Sequence, residues 1–151
     1  MGEMPAALVE LARDFKPMDR TERMEMLIDY ADRFVDVPAT VAARPFDDRH
    51  RAPRCESEAY VWAVDAGDGG LALYFAVENP QGLSAKAWAS ILTETASGAP
   101  PERLAAIDPE VIYDIFGRDL SMGKGQGLMG MLDLVQFEAK QRLDARRSAA
   151  S

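Results

Sequence analysis

One cysteine and one histidine occur in this chain of 151 residues, and both lie in the run Arg49-His50-Arg51-Ala52-Pro53-Arg54-Cys55-Glu56-Ser57. A thiol is a nucleophile only as the thiolate, a form that neighbouring positive charge favours, and Arg49, Arg51 and Arg54 supply such charge on the N-terminal side of Cys55. The alternative use of a lone free cysteine is as a small buried hydrophobe. Position favours chemistry. Cys55 follows a Pro-containing polar loop, precedes the apolar run from Ala59 to Val64, and is flanked by Arg54 and Glu56, so it falls at a loop-to-strand junction.

Other site chemistries are restricted by composition. A structural zinc site takes four Cys or His ligands, and this chain has two such residues, so no metal site is expected by that route. An iron–sulfur cluster held by one chain's thiolates would need several cysteines. A Cys-His hydrolase pair is disfavoured because His50 and Cys55 sit five residues apart on one loop. The second unusual stretch is Leu120-Ser121-Met122-Gly123-Lys124-Gly125-Gln126-Gly127, with three glycines in five positions. Its spacing is not that of a phosphate loop, no apolar strand precedes it, and Lys124 comes before the final glycine. A tight turn in which backbone approaches backbone is the plainer reading.

The elements that must position these stretches follow from periodicity. Leu8, Leu11, Ala12 and Phe15 mark one face of a helix over 5–15. Asp19 with Glu22 forms a capping box for a second helix, whose core face is read as Met24, Leu27, Ile28, Ala31 and Val35, with Arg20, Arg23, Glu25, Asp29 and Asp32 in solvent. An irregular segment over 34–43, with Pro38 inside it, leads to the Arg-rich loop. Tyr60, Trp62 and Val64, then Leu71, Leu73, Phe75 and Val77, alternate as strands, and the Gly-rich connection Asp65 to Gly70 makes them an antiparallel hairpin. Ser84 is the expected cap of a helix with Trp88 as its core anchor, and two short helices follow, opened by Pro101 and by Asp108-Pro109. A long helix from about Gly127 to Ala145 carries Leu128, Met131, Leu132, Val135, Ala139 and Leu143 inward, and 146–151 is expected to fray.

Residues 1–151 read as one domain with an ordered core over about 5–145, and 48% apolar residues suffice for a core. The net charge of −8 disfavours nucleic acid as a partner, because the chain lacks the basic surface that would neutralise phosphates. No apolar run approaches the roughly 20 residues of a membrane span, so no membrane partner is expected. One cysteine cannot close an internal disulfide, and a cytoplasmic location is expected.

The chain resembles the SufE family of sulfur acceptors along nearly its whole length. The resemblance is carried by Cys55-Glu56-Ser57 before an aromatic-rich strand, similar to a Cys-Gln-Ser motif, by Lys86-Ala87-Trp88-Ala89, and by a basic residue, Lys124, three positions before Gly127-Leu128. Glu56 replaces the usual Gln and places a negative charge beside the thiol; Lys124 replaces the usual Arg and lacks its bidentate fork; Ala87 stands where Gly is common. The resemblance implies an α+β fold, a small antiparallel sheet packed against several helices, similar to iron–sulfur scaffold folds. It also implies that Cys55 accepts sulfur from a pyridoxal-phosphate cysteine desulfurase of the SufS type, stimulates it, and delivers the sulfur to an iron–sulfur scaffold complex. The chain itself would bind no cofactor, the pyridoxal phosphate belonging to the partner, and would not turn over alone. Arg51, Arg54, Glu56, Ser57 and Lys124 are the expected thiol environment or partner-binding residues, and a monomer or weak dimer is expected. The alternative is a regulatory module that binds the desulfurase without carrying sulfur, Cys55 being structural.

Overall fold

The structure is a computed structural model, and it describes residues 3–150. Helices α1 (Ala6–Phe15) and α2 (Arg20–Asp32) precede strands β1 (Ala59–Asp65) and β2 (Leu71–Val77), and four helices follow: α3 (Leu83–Thr95), α4 (Pro101–Ala105), α5 (Glu110–Phe116) and α6 (Met122–Ala150). The strands form a two-stranded antiparallel sheet in register from Ala59 opposite Val77 to Asp65 opposite Leu71. This is the expected α+β arrangement of a small sheet packed against several helices.

Strand alternation sends Val61, Ala63, Leu73 and Phe75 into the main core with the helices. Tyr60, Trp62 and Ala76 lie on the other face, which is covered by the irregular segment through Val37, Val41, Ala42 and Phe46. The Phe46 ring centre lies 4.8 Å from that of Trp62 and 5.1 Å from that of Tyr60. His50, in a short 3₁₀ turn (Asp48–His50), stacks on Trp62 at 5.3 Å with Nδ1 2.9 Å from the Val61 carbonyl oxygen. A stretch without periodicity is thus ordered by aromatic packing on the outer sheet face, and it delivers the next residues to the strand edge. At Pro38 it makes one turn, closed by the amides of Val41 and Ala42.

Helix α3 lies at the centre. Trp88, Ile91 and Leu92 are fully buried and so are its small residues Ala85, Ala87 and Ala89. Trp88 Nε1 donates to the Leu128 carbonyl oxygen at 3.2 Å, which satisfies its one polar atom inside the core. The expected cap at Ser84 is not the one used: the helix opens from Gly82 with no side-chain cap.

Helix α2 corrects the sequence reading. The Asp19–Glu22 capping box is formed, but Met24, Ile28 and Val35 are exposed, and the helix ends before Val35. The inward residues are Leu27, with Met26, Tyr30 and Ala31 partly buried. Arg23, expected in solvent, turns inward and donates to the carbonyl oxygens of Asp114 and Ile115 at 2.7 and 2.8 Å and to that of Met18 at 3.2 Å. The carbonyls at the end of α5 lack helical partners, and Arg23 supplies donors to them. The helix is rotated toward that demand and away from its apolar spacing.

Helix α6 corrects the reading at both ends. It starts at Met122, so the glycine-rich stretch is its first turns and not a loop. Ser121 Oγ accepts from the Lys124 amide at 3.3 Å, and the Ser121 carbonyl accepts from the Gly125 amide at 2.9 Å. At the other end the helix continues through Arg146, whose guanidinium pairs with Glu102 at 2.9 Å and donates to the Gly69 carbonyl at 3.0 Å, tying the expected frayed segment to α4 and the hairpin turn. Ser151 lies outside the described residues.

Candidate functional site

The Cys55 loop is a short bridge between the aromatic-covered segment and β1. Backbone bonds pin both of its ends: the Ala52 amide donates to the Ala59 carbonyl at 2.8 Å, and Arg51 makes an isolated antiparallel bridge with Tyr60. The amides of Glu78 and Asn79 donate to the carbonyls of Glu58 and Ser57, both at 3.1 Å, so the end of β2 holds the loop from its other side. Within it the Glu58 amide donates to the Cys55 carbonyl at 3.3 Å, closing a turn over Glu56 and Ser57. Arg54 and Glu58 have φ of 61° and 51°, left-handed backbone that costs a non-glycine residue about 1–2 kcal/mol. Two such residues flank Cys55-Glu56-Ser57, and surrounding bonds hold them there.

Helix α6 forms the opposite wall. A Cβ on Gly127 would stand 3.3 Å from the Cys55 Cα and 3.5 Å from its Sγ, and one on Gly130 would stand 2.0 Å from the Pro53 carbonyl oxygen. These glycines permit close approach of helix to loop; the close approach expected of the glycine-rich stretch is found at Gly127, whereas the tight turn expected there is replaced by helix. The two unusual stretches therefore meet. Arg54 straps them further through an ion pair with Asp133 of α6 at 2.8 Å.

Cys55 is buried, at 8% exposure, and forms part of the wall of two cavities. The first, of about 450 Å³, is also lined by Met24, Glu56, Ser57, Asn79, Leu83 and Lys124. The second, of about 620 Å³, is lined by Asp48, Arg51, Arg54, Glu56 and Gln126. Glu56 and Gly123 belong to both. A neighbouring groove shares Met24 and Lys124 with the first cavity and contains Arg20 and Asp119; the Arg20 guanidinium bonded to Asp119 holds that carboxyl below its ordinary value.

Of the residues expected around the thiol, Ser57 and Lys124 lie at the first cavity, Arg51 and Arg54 at the second, and Glu56 at both. The guanidinium of Arg54 is engaged by Asp133, and Arg49 faces Asp47 at 3.9 Å, so neither arginine offers the thiol an unshared charge. His50 spends its ring on Trp62 and Val61. Sequence reasoning missed Met24, Leu83 and Gly130. Gly130 was legible, since it continues Gly127 at the three-residue spacing that puts both on one helix face; nothing local marks Met24 or Leu83.

The site is thus a lone thiol at the wall of a cleft, on a loop clamped between a two-stranded sheet and a long helix of an α+β protein. The family model described as SufE, an Fe-S metabolism associated domain, matches residues 9–139, and the chain belongs to that family, which is associated with the sulfur-acceptor role in iron–sulfur assembly. The fold is similar to the solution structure of a hypothetical protein from Thermus thermophilus, with a TM-score of 0.73 and 24% identity over 93% of this chain and 98% of that one. No curated protein matches the sequence. Among the described residues no helix is long and apolar enough to cross a membrane.

Proposed function

We propose that this chain is a single-domain cytoplasmic sulfur acceptor that works through Cys55 with a SufS-type cysteine desulfurase and passes sulfur to an iron–sulfur scaffold complex. The observation that carries the reading is the placement of the chain's only thiol, in a SufE family member, at the wall of two cavities on a pinned loop. The Cys55 thiolate attacks the terminal sulfur of the partner's cysteine persulfide. The S–S bond of the donor breaks, its cysteine leaves as a thiolate, and a persulfide forms on Cys55; the terminal sulfur keeps its proton and no external oxidant or reductant is needed. Pyridoxal phosphate stays with the desulfurase. Burial of Cys55 supports a protective role as well, since an accessible thiolate is open to overoxidation.

The reading is tested by Cys55→Ser, a substitution close in volume. The expected result is a folded protein that no longer stimulates the desulfurase. Retained stimulation would favour the regulatory module instead.

A further inference from the structure

We propose that the Arg54–Asp133 ion pair is a latch that holds the Cys55 segment closed against α6, and that its opening admits the sulfur donor. The inference rests on the sulfur-acceptor reading and adds to it a control on access to the thiol.

The segment is tied at its ends and hardly at all in its middle. The Ala52 amide is bonded to the Ala59 carbonyl on one side, and the Ser57 and Glu58 carbonyls accept from the end of β2 on the other. Among the described residues, the one hydrogen bond made by the backbone of Arg54, Cys55 and Glu56 stays inside the segment, from the Glu58 amide to the Cys55 carbonyl. What keeps this middle part on α6 is the contact of Cys55 with Gly127 and the ion pair, 2.8 Å from Arg54 Nη2 to Asp133 Oδ2. Arg54 also carries the left-handed φ of 61°. The residue that makes the ion pair is therefore the one whose backbone is kept off its preferred conformation, and opening relieves that strain.

Cys55 is only 8% exposed while the segment is closed. A persulfide carried on another protein has to bring its terminal sulfur within bonding reach of Cys55 Sγ, so movement of 54–56 away from α6 presents the thiol. The paired side chains of Arg54 and Asp133 are 49% and 56% exposed, open to salt and to a partner's side chains. An ion pair of this kind shifts an equilibrium by a few-fold, which sets access without locking it. Where only a fraction of molecules is competent, apparent affinity falls by that fraction, so the latch sets how much of this protein a desulfurase needs.

Two variants break the pair in opposite electrostatic senses: Asp133→Asn leaves an unpaired cation at position 54, and Arg54→Met removes it. Access is read as the rate of Cys55 alkylation by uncharged iodoacetamide, divided by the thiolate fraction from its ultraviolet absorbance. Both variants are expected to raise that quotient about threefold with thermal stability almost unchanged, and Asp133→Glu, which keeps the pair, to match the unsubstituted protein. High salt should raise it in the unsubstituted protein and in neither broken variant. With a SufS-type desulfurase and cysteine, both variants should lower the half-saturating concentration of this protein about threefold and change the maximal rate by less than about twofold. An unchanged quotient, with rates accounted for by the thiolate fraction alone, would overturn the latch and leave the acceptor reading standing. A raised quotient without a fall in the half-saturating concentration would overturn its control of sulfur acceptance. Absence of both stimulation and sulfur gain in the unsubstituted protein would overturn the acceptor reading, and with it that control, whatever the alkylation shows.

Discussion

Gly127 and Cys55 approach so closely that a Cβ on the glycine would stand 3.5 Å from the thiol sulfur. Helix α6 is therefore the floor of the thiol site as well as an element of the core, and its glycines are not interchangeable.

Gly130→Ala is expected to destabilise the protein, because the new Cβ would lie 2.0 Å from a backbone oxygen of Pro53. Overpacking of this kind costs about 1–3 kcal/mol or more, against about 1 kcal/mol gained in helix propensity. A Cβ on Gly123 meets nothing within 4 Å, so Gly123→Ala is expected to stabilise by up to about 1 kcal/mol. Thermal unfolding of the two variants should shift in opposite directions; a common direction would contradict the close helix–loop contact at Gly130.

Trp88→Ala is expected to cost about 3–5 kcal/mol, as the side chain is fully buried and leaves a large void. Denaturant unfolding measures it. A loss below about 1 kcal/mol would place Trp88 outside the core.

Arg23→Met is expected to cost about 1–3 kcal/mol, since it leaves the carbonyls of Asp114 and Ile115 without their donor. Arg23→Lys should recover only part of the loss, because one ammonium cannot reproduce the guanidinium fork. Urea unfolding of both variants checks the order; a neutral Arg23→Met would return this residue to solvent.

Glu56 and Lys124 line the cavity that Cys55 faces, with opposite charges. Unit charges sharing a water-filled cavity interact by less than about 1 kcal/mol, a few-fold in rate. Alkylation of Cys55 by iodoacetate, an anion, should be slowed by Lys124→Ala and quickened by Glu56→Gln, each by a factor of that order. Both effects should fade in high salt. Unchanged rates at low salt would remove these two residues from the thiol environment.

Much of this is legible in the sequence, and the exceptions have physical causes. The hairpin, the Asp19 capping box and the Trp88 anchor follow from local patterns that tertiary packing reinforces. The α2 face departs from its apolar spacing because Arg23 answers carbonyls from α5, a demand invisible in the local pattern. The start of α6 lies earlier than its composition implies: Ser121 accepts from the Lys124 and Gly125 amides, and Gly125 and Gly127 pack closely on Tyr113 and on the Cys55 loop, contacts that override glycine's weak helix propensity. Cys55 is identifiable as the reactive candidate from its uniqueness and neighbours, whereas the cavities beside it require distant parts of the chain to meet.

Sulfur acceptance itself is decided by the intact mass of the protein after incubation with a SufS-type desulfurase and cysteine, followed by peptide mapping. A gain of one sulfur atom is expected, located on Cys55 and lost on treatment with a reducing thiol. A protein that stimulates the desulfurase while its Cys55 peptide gains no sulfur would rule out the carrier role.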